Sequence, residues 1–342
     1  MSLPKLAARQ AVAAEEAGWD GIVFTDSQNL GSDVYVAMAM ATAATERIQL
    51  ATGVTNPVTR HPAVTATAIA SIQAESGGRA VLGIGRGDSA LAHLGYAPAP
   101  PAVFRRYLER LQAYLSGDDV PFDPAEPAGL HSVDALALAA GPEASRLHWL
   151  RPTQAKVPVD GAATGPKVIR ISAELCERIS FAVGADPDRV EWAIGLANEV
   201  QPGRSLGAYL TVVPHPDQAV ARQLAAGGLA SFARFSVMHG TPTGPVTDDE
   251  RSVMEGIARS YDMGHHFQAG SPQSAGLTEE FFDRMGVAGP IDYCVDRLRA
   301  LVDLGLERLI VAGAAGGPAA DRTESALSRR LMVEEVLPAL RP

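Results

Sequence analysis

Short apolar runs alternate with helical stretches along most of this chain, and that alternation is what most limits how it can fold. The runs are GIVFTD (21–26), IQLATGV (48–54), AVLGIG (80–85), VPVDGA (157–162), ISFAVGA (179–185), LGAYLTVV (206–213) and ERLIVAG (307–313). Continuous apolar runs of this kind suit parallel strands buried on both faces. Between them the spacing predicts helices over 3–17, stopped by Gly18, over 33–45, after Pro62, over 102–115 and from Pro166 to 177. Asp186 followed by Pro187 reads as a helix cap and first turn. Pro290 opens a further helix that Gly305 stops. A loop-rich stretch at 117–156 and a mostly helical excursion at 215–286 interrupt the pattern.

Seven strands are one short of a (β/α)8 barrel, in which a helix follows every strand. The chain opens on a helix with no strand ahead of it, so the deficit falls at the amino terminus. The expectation is α/β, a TIM (β/α)8 barrel with a helical insertion after the barrel's seventh strand and its first strand missing from this chain. Either upstream residues are absent, or a partner subunit covers a gap in the barrel. No linker-like tract divides residues 1–342, which read as a single domain.

Composition excludes several classes. With 46% hydrophobic and 20% charged residues, the chain suits a globular protein with a large core, not a disordered or disulfide-stapled one. A net charge of −10 argues against nucleic acid or an anionic membrane as partner. No apolar run reaches a bilayer-spanning length and no signal peptide is visible, so a cytoplasmic protein is expected. Cys176 and Cys294 stand far apart and read as buried small hydrophobes.

Barrel enzymes bind ligands where strands end, and four such loops have unusual content. The strongest runs from Asp160 through Ala162, Ala163, Thr164, Gly165 and Pro166 to Lys167, just before a helix. Small residues admit a ligand close to the backbone, and a lysine at a helix amino terminus favours an anion. It reads as a phosphate cradle or as an ordinary Thr/Gly cap. The second, Gly85-Arg86-Gly87-Asp88-Ser89, is not a GxGxxG fingerprint, because Asp88 takes the third glycine's place. Its glycines suit close passage along a flat ligand, whereas Asp88 and Ser89 could simply cap a helix. The third, Gly53-Val54-Thr55-Asn56-Pro57 and on to His61-Pro62, suggests a bulged strand end, with His61 a cap or packing residue before a catalyst. In the fourth, Asp26 stands where barrel enzymes keep acids, or else hydrogen-bonds a neighbouring loop.

Zinc, calcium and HExxH spacings are missing, as are the GxSxG nucleophile elbow and any spacing that singles out two carboxylates. Adjacent His265 and His266 would point apart on a helix and share no metal. Few titratable groups beside glycine-lined walls suit a bound cofactor that carries the chemistry itself.

In order, TDSQN, ATGVTNPVTRHPAVTATAIASI, SGGRAVLGIGRGDSALAHLG, AATGPKVIRISAE and GPIDYCVDRLRALVDLGLERLIVAG resemble the luciferase-like superfamily of flavin- and deazaflavin-dependent oxidoreductases. Within it the chain is most similar to the branch containing methylenetetrahydromethanopterin reductase. The resemblance implies a TIM barrel that binds coenzyme F420, or FMN in sister groups. It places a cis peptide at Gly53–Val54 behind the ring, with Thr55 and Asn56 beside it. Contacts to the ring edge would fall on Gly85, Arg86, Gly87 and Asp88, and contacts to the phosphate on Ala162 to Lys167. The excursion would supply part of the substrate cover. Many relatives have Asp-His where this chain has Asp26-Ser27, so a histidine acid/base is missing there. Asp26 then remains the candidate catalytic residue, to position the cofactor or a proton.

Three readings follow. The first is hydride transfer between F420 and a small organic substrate, by a homodimer. The second is an FMN-dependent monooxygenase using dioxygen, and the third a flavin-binding protein without turnover. Only Lys5, Lys156 and Lys167 are lysines among 29 basic residues, a bias of GC-rich bacteria, and high-GC actinobacteria commonly make F420. That tips the expectation from FMN to F420.

Overall fold

Helix α1 (Pro4–Glu16) starts on a proline, whose fixed φ and missing N–H suit the first turn. Near its end Glu15 accepts three backbone N–H groups, from Glu46 at 3.1 Å, Arg47 at 2.6 Å and Ile48 at 2.7 Å. These amides fix the entry into the second strand, and they hold the Glu15 carboxyl down at about 2. The computed structural model describes residues 3–123, 130–238 and 240–341. Residues 124–129 of the expected loop-rich stretch, and His239 of the excursion, lie outside the described residues.

The chain forms two compact units. The first comprises Met1–Leu82, Arg86–Leu91 and Ala97–Pro158, and the second Gly83–Gly85, Ala92–Tyr96 and Val159–Pro342. In the first, β1 (Gly21–Phe24) pairs in parallel with β2 (Gln49–Thr52), Gly21 opposite Gln49 and Phe24 opposite Thr52. Strand β2 continues to β3 (Ala80–Ile84) through Leu50 opposite Ala80. Around these strands run α1, α2 (Val34–Ala44), α3 (Pro62–Glu75), the short α4 (Ser89–Ala92) and α5 (Pro101–Ser116). Among the described residues of 117–156 the only helix is a 3-10 turn at Val133–Leu136.

The second unit continues the βα alternation. Strands β4 (Val159–Ala163), β5 (Arg178–Phe181) and β6 (Ser205–Pro214) pair in parallel, with Ala163 opposite Phe181 and Phe181 opposite Ala208. Helices α6 (Pro166–Leu175) and α7 (Pro187–Asn198) connect them, and Asp186 caps α7 by accepting from Arg189 N at 3.1 Å, as its Asp-Pro signature predicts. After β6 come α8 (Gln218–Phe235), α9 (Asp248–Ser260) and α10 (Glu279–Met285), the mostly helical insertion expected from the sequence. Their apolar faces close around Leu224, Leu229, Met254, Phe281 and Met285. A three-residue strand, β7 (Val287–Gly289), then pairs with the end of β6. Helix α11 (Ile291–Asp303), β8 (Arg308–Ala312), which also pairs with β6, and α12 (Arg322–Leu331) complete the unit.

Two expectations need correction. Among the described residues there are eight strands, because β7, between the excursion's end at 286 and the helix opened by Pro290, is too short to show a period. The run GIVFTD is not buried on both faces: Gly21 and Val23 are exposed, since among the described residues β1 pairs with β2 alone. Parallel strands joined by helices in this order are the α/β class of the TIM barrel. The buried cysteines are as expected, and burial pushes the Cys294 thiol up to about 12.

Glu15 gives a test of this packing. Its carboxyl is more acidic folded than unfolded, so its stabilising share is full above its ordinary value near 4.5 and fades as pH falls toward about 2. Denaturation midpoints of Glu15→Gln should sit below the parent's at neutral pH and converge with them on acidification. Parallel curves would contradict this role.

Candidate active site

At the end of β1 the chain turns through Asp26, whose carboxylate is 3% exposed. Arg60, in the loop between β2 and α3, places Nη1 2.5 Å from Asp26 and Nη2 3.0 Å from Asp33. Asp33 also caps α2 by accepting from Tyr35 N at 2.9 Å and Val36 N at 3.1 Å. Burial opposes the charge on Arg60, but Asp26 and Asp33 more than offset it and raise its pKa. The guanidinium also lies 5.0 Å from the centre of the Tyr35 ring, a cation–π contact. Burial and the nearby Asp26 raise the Tyr35 phenol, which stays neutral at working pH.

Beyond β2 the Gly53–Val54 peptide is cis, as the resemblance implies. Thr55 and Asn56 are buried. Asn56 Oδ1 accepts from Val58 N and Thr59 N, each at 3.0 Å, while its Nδ2 is buried with no partner among the described residues. His61 does what the sequence suggests: it caps α3, its Nδ1 accepting from Ala63 N at 3.2 Å. Gly87 has φ +84°, a conformation that favours glycine, and a Cβ there would stand 2.7 Å from Leu91 and 3.1 Å from Asn56. The Gly87 turn is thereby brought against Asn56. Ser27, at the position of the missing histidine, meets Ser89 Oγ at 3.2 Å, and Gln28 Nε2 donates to Ala90 O at 2.9 Å.

Within the first unit, then, Asp26, the Gly53–Val54 end and Gly87 share one neighbourhood. Arg86 points elsewhere: its Nε donates to Ala99 O at 2.5 Å and its own carbonyl accepts from Ala99 N. Its guanidinium braces a loop, and burial lowers its pKa. Asp88 begins α4, its carbonyl accepting from Leu91 N. Gly85 belongs to the second unit.

In the second unit β4 runs through Ala162 and Ala163 into Thr164, whose hydroxyl donates to Ala182 O at 3.3 Å. Gly165 caps α6 without a side-chain hydrogen bond, Pro166 fills the first position, and Lys167 is exposed in the first turn. An uncapped helix amino terminus beside a lysine is suited to an anion, and its small residues leave backbone accessible. These residues fit the phosphate of a flavin-type cofactor. No group of three or more potential metal ligands occurs among the described residues. His265 pairs with Asp262 at 2.6 Å, whereas His266 bonds Tyr261, so the two rings do separate work.

Sequence reasoning missed Arg60, although TRHP was in view; only its histidine drew notice. It also missed Arg308, whose Nη2 lies 3.6 Å from buried Asp160. Asp160 is near the amino-terminal end of β4, away from the loops where barrels do chemistry.

Parallel strands joined by helices, with small residues at the strand ends, define an α/β protein of the TIM-barrel class. The sequence profile of the luciferase-like monooxygenases matches residues 4–308, and the chain belongs to that family. It is 27% identical to the 5,10-methylenetetrahydromethanopterin reductase of Methanolobus tindarius, over 95% of each chain. Among solved structures it resembles the coenzyme F420-dependent tetrahydromethanopterin reductase of Methanopyrus kandleri, with a TM-score of 0.71, 22% identity and coverage of 99% and 96%. It also resembles, at a TM-score of 0.64 and 18% identity over 98% and 92%, the oxygenating constituent of 3,6-diketocamphane monooxygenase from Pseudomonas putida in complex with FMN. The chain is an oxidoreductase of this family, and no helix among its described residues is long and apolar enough to cross a membrane.

Replacing Arg60 by Met should strand the Asp26 carboxylate in a buried place, at a cost of about 3–5 kcal/mol. Adding Asp26→Asn removes the stranded charge and should recover about half of that loss, measured by chemical denaturation. A double variant no more stable than the single one would contradict the pairing.

Proposed function

We propose that the protein transfers hydride between coenzyme F420 and a small organic substrate. The observation that carries the choice of F420 is the likeness over nearly the whole chain to methylenetetrahydromethanopterin reductases, with an F420-dependent reductase sharing the fold. When bound, the deazaflavin supplies a two-electron hydride carrier that does not readily react with dioxygen. The chain's part is to bind, orient and exclude water. Gly53, Val54, Thr55 and Asn56 would back the ring, with the buried Asn56 Nδ2 free to donate. Gly85, Gly87 and Asp88 would follow the ring edge, Arg86 holding their loop through Ala99. Ala162, Ala163, Thr164, Gly165, Pro166 and Lys167 would take the phosphate.

Asp26, held by Arg60 at 2.5 Å, would position the cofactor or a proton. The ion pair fixes where that carboxylate points. With Ser27 in place of a histidine, this chain has no imidazole at that point, and the proton needed by the product would come from solvent or from the substrate.

The likeness to an FMN-bound monooxygenase supports a second reading, oxygenation with reduced FMN. Titration with F420 and FMN, followed by absorbance and fluorescence, separates the two. The proposal expects tight F420 binding, FMN at least about 10-fold weaker, and no oxygen uptake with reduced FMN. Lys167→Ala should weaken F420 about 10-fold, the loss of one charge-assisted contact of about 1.4 kcal/mol. Tight FMN binding with F420 ignored would overturn the first reading.

A further inference from the structure

Most large aromatic side chains of the core are sealed from solvent: Phe104, Phe181 and Phe281 are fully buried. One group in the second unit is not. Tyr209 of β6, Phe232 and Phe235 of α8, and Tyr261, His266 and Phe267 after α9 are all only half-buried. Yet they are ordered against one another. Phe232 meets Phe267 edge-to-face, with ring centres 5.1 Å apart at 90°, and Phe267 meets His266 at 5.0 Å and 79°. Tyr209 lies 6.2 Å from Phe232, and Phe235 lies 6.1 Å from the same ring.

Phe267 is held there against its backbone preference. Its φ is +56°, a left-handed conformation rare for a bulky side chain. Ser231 accepts its amide at 3.1 Å, and Gln268 is carried so close to α8 that a Cβ on Gly227 would stand 2.2 Å from Gln268 O. On the far side Ala269 N donates to Gly316 O at 2.8 Å. Strain maintained by that many contacts, for a ring that is not sealed into the core, points to a surface kept for a ligand.

A second observation lies beside it. The Thr211 hydroxyl, on a residue 2% exposed, has no hydrogen-bond partner among the described residues. It is 3.4 Å from where a Gly228 side chain would begin, and Phe267 Cε1 is 3.7 Å from the same point. Strand register ties the group to the cofactor loop. Ala163, Phe181 and Ala208 form one row across β4, β5 and β6, so Tyr209 comes one residue later, level with the start of the Thr164–Lys167 loop.

We propose that Tyr209, Phe232 and Phe267 seat a planar aromatic ring of the substrate, Phe232 and Phe267 presenting their faces and edges to it. The proposal rests on the hydride-transfer reading and names the substrate class for it: a small molecule built on an aromatic ring, not a sugar or a short aliphatic alcohol. Edge-to-face and offset ring pairs add selectivity beyond the area they bury.

The test uses the protein with and without F420, and two probes with the same fused ten-carbon skeleton, planar aromatic 2-naphthol and puckered saturated 2-decalol, by calorimetry. Both carry one hydroxyl on the same number of ring carbons, so simple burial would not favour 2-naphthol about 10-fold. We expect 2-naphthol to bind about 10-fold more tightly, and Phe232→Leu or Phe267→Leu to remove that preference while leaving 2-decalol affinity and F420 affinity in place. Equal affinities for the two probes, or a preference surviving both substitutions, would overturn the seat. If the preference stands but F420 does not bind, the cofactor reading fails and the seat remains. F420 binding without the preference removes the seat alone.

Discussion

The pairing of Arg60 with Asp26 organises the first unit. One guanidinium joins the end of β1, the cap of α2 and the loop that leaves β2, three segments that sequence separates by up to 34 residues. A carboxylate as buried as Asp26 is costly alone, and breaking its pair leaves that cost uncompensated. The pair therefore ties three segments of the fold together.

The second unit separates stability from chemistry along its strands. Asp160, the second residue of β4, accepts from Ser180 at 2.8 Å and faces Arg308 at the start of β8, which also reaches Ser205 at the start of β6. Burial pushes Asp160 up and Arg308 down, and their mutual attraction opposes both shifts. At the other end of β4 the residues are Ala, Thr, Gly and Pro, with Lys167 alone charged. Polar groups hold the strands together at the first end, and the second end carries the small residues proposed above to meet the cofactor, the usual division in barrels.

Much of this was legible beforehand because the signals are local. Asp186-Pro187, Pro166 and His61-Pro62 mark helix starts through φ and capping chemistry that need no partner from afar, and each starts a helix here. The apolar runs located seven strands for the same reason. What escaped depends on distance in the chain. Strand β7 exists only because β6 extends to Pro214 and offers an edge. The exposure of Val23 follows from which neighbour β1 has, not from its own residues. Arg60 could not be paired with Asp26 without the fold, and Arg86 could not be known to turn toward Ala99. The ring group of Tyr209, Phe232 and Phe267 draws on residues spread over 59 positions of sequence, and only the packing of α8 under the 261–268 segment assembles it.

On the proposed reading, the loop at 53–59 would back the deazaflavin ring and the loop at 162–168 would take its phosphate. Amide hydrogen exchange, followed by mass spectrometry with and without F420, reads both loops at once. Slower exchange in segments 53–59 and 162–168 on adding F420 is the predicted result. Unchanged exchange in 162–168, with F420 bound, would contradict the account.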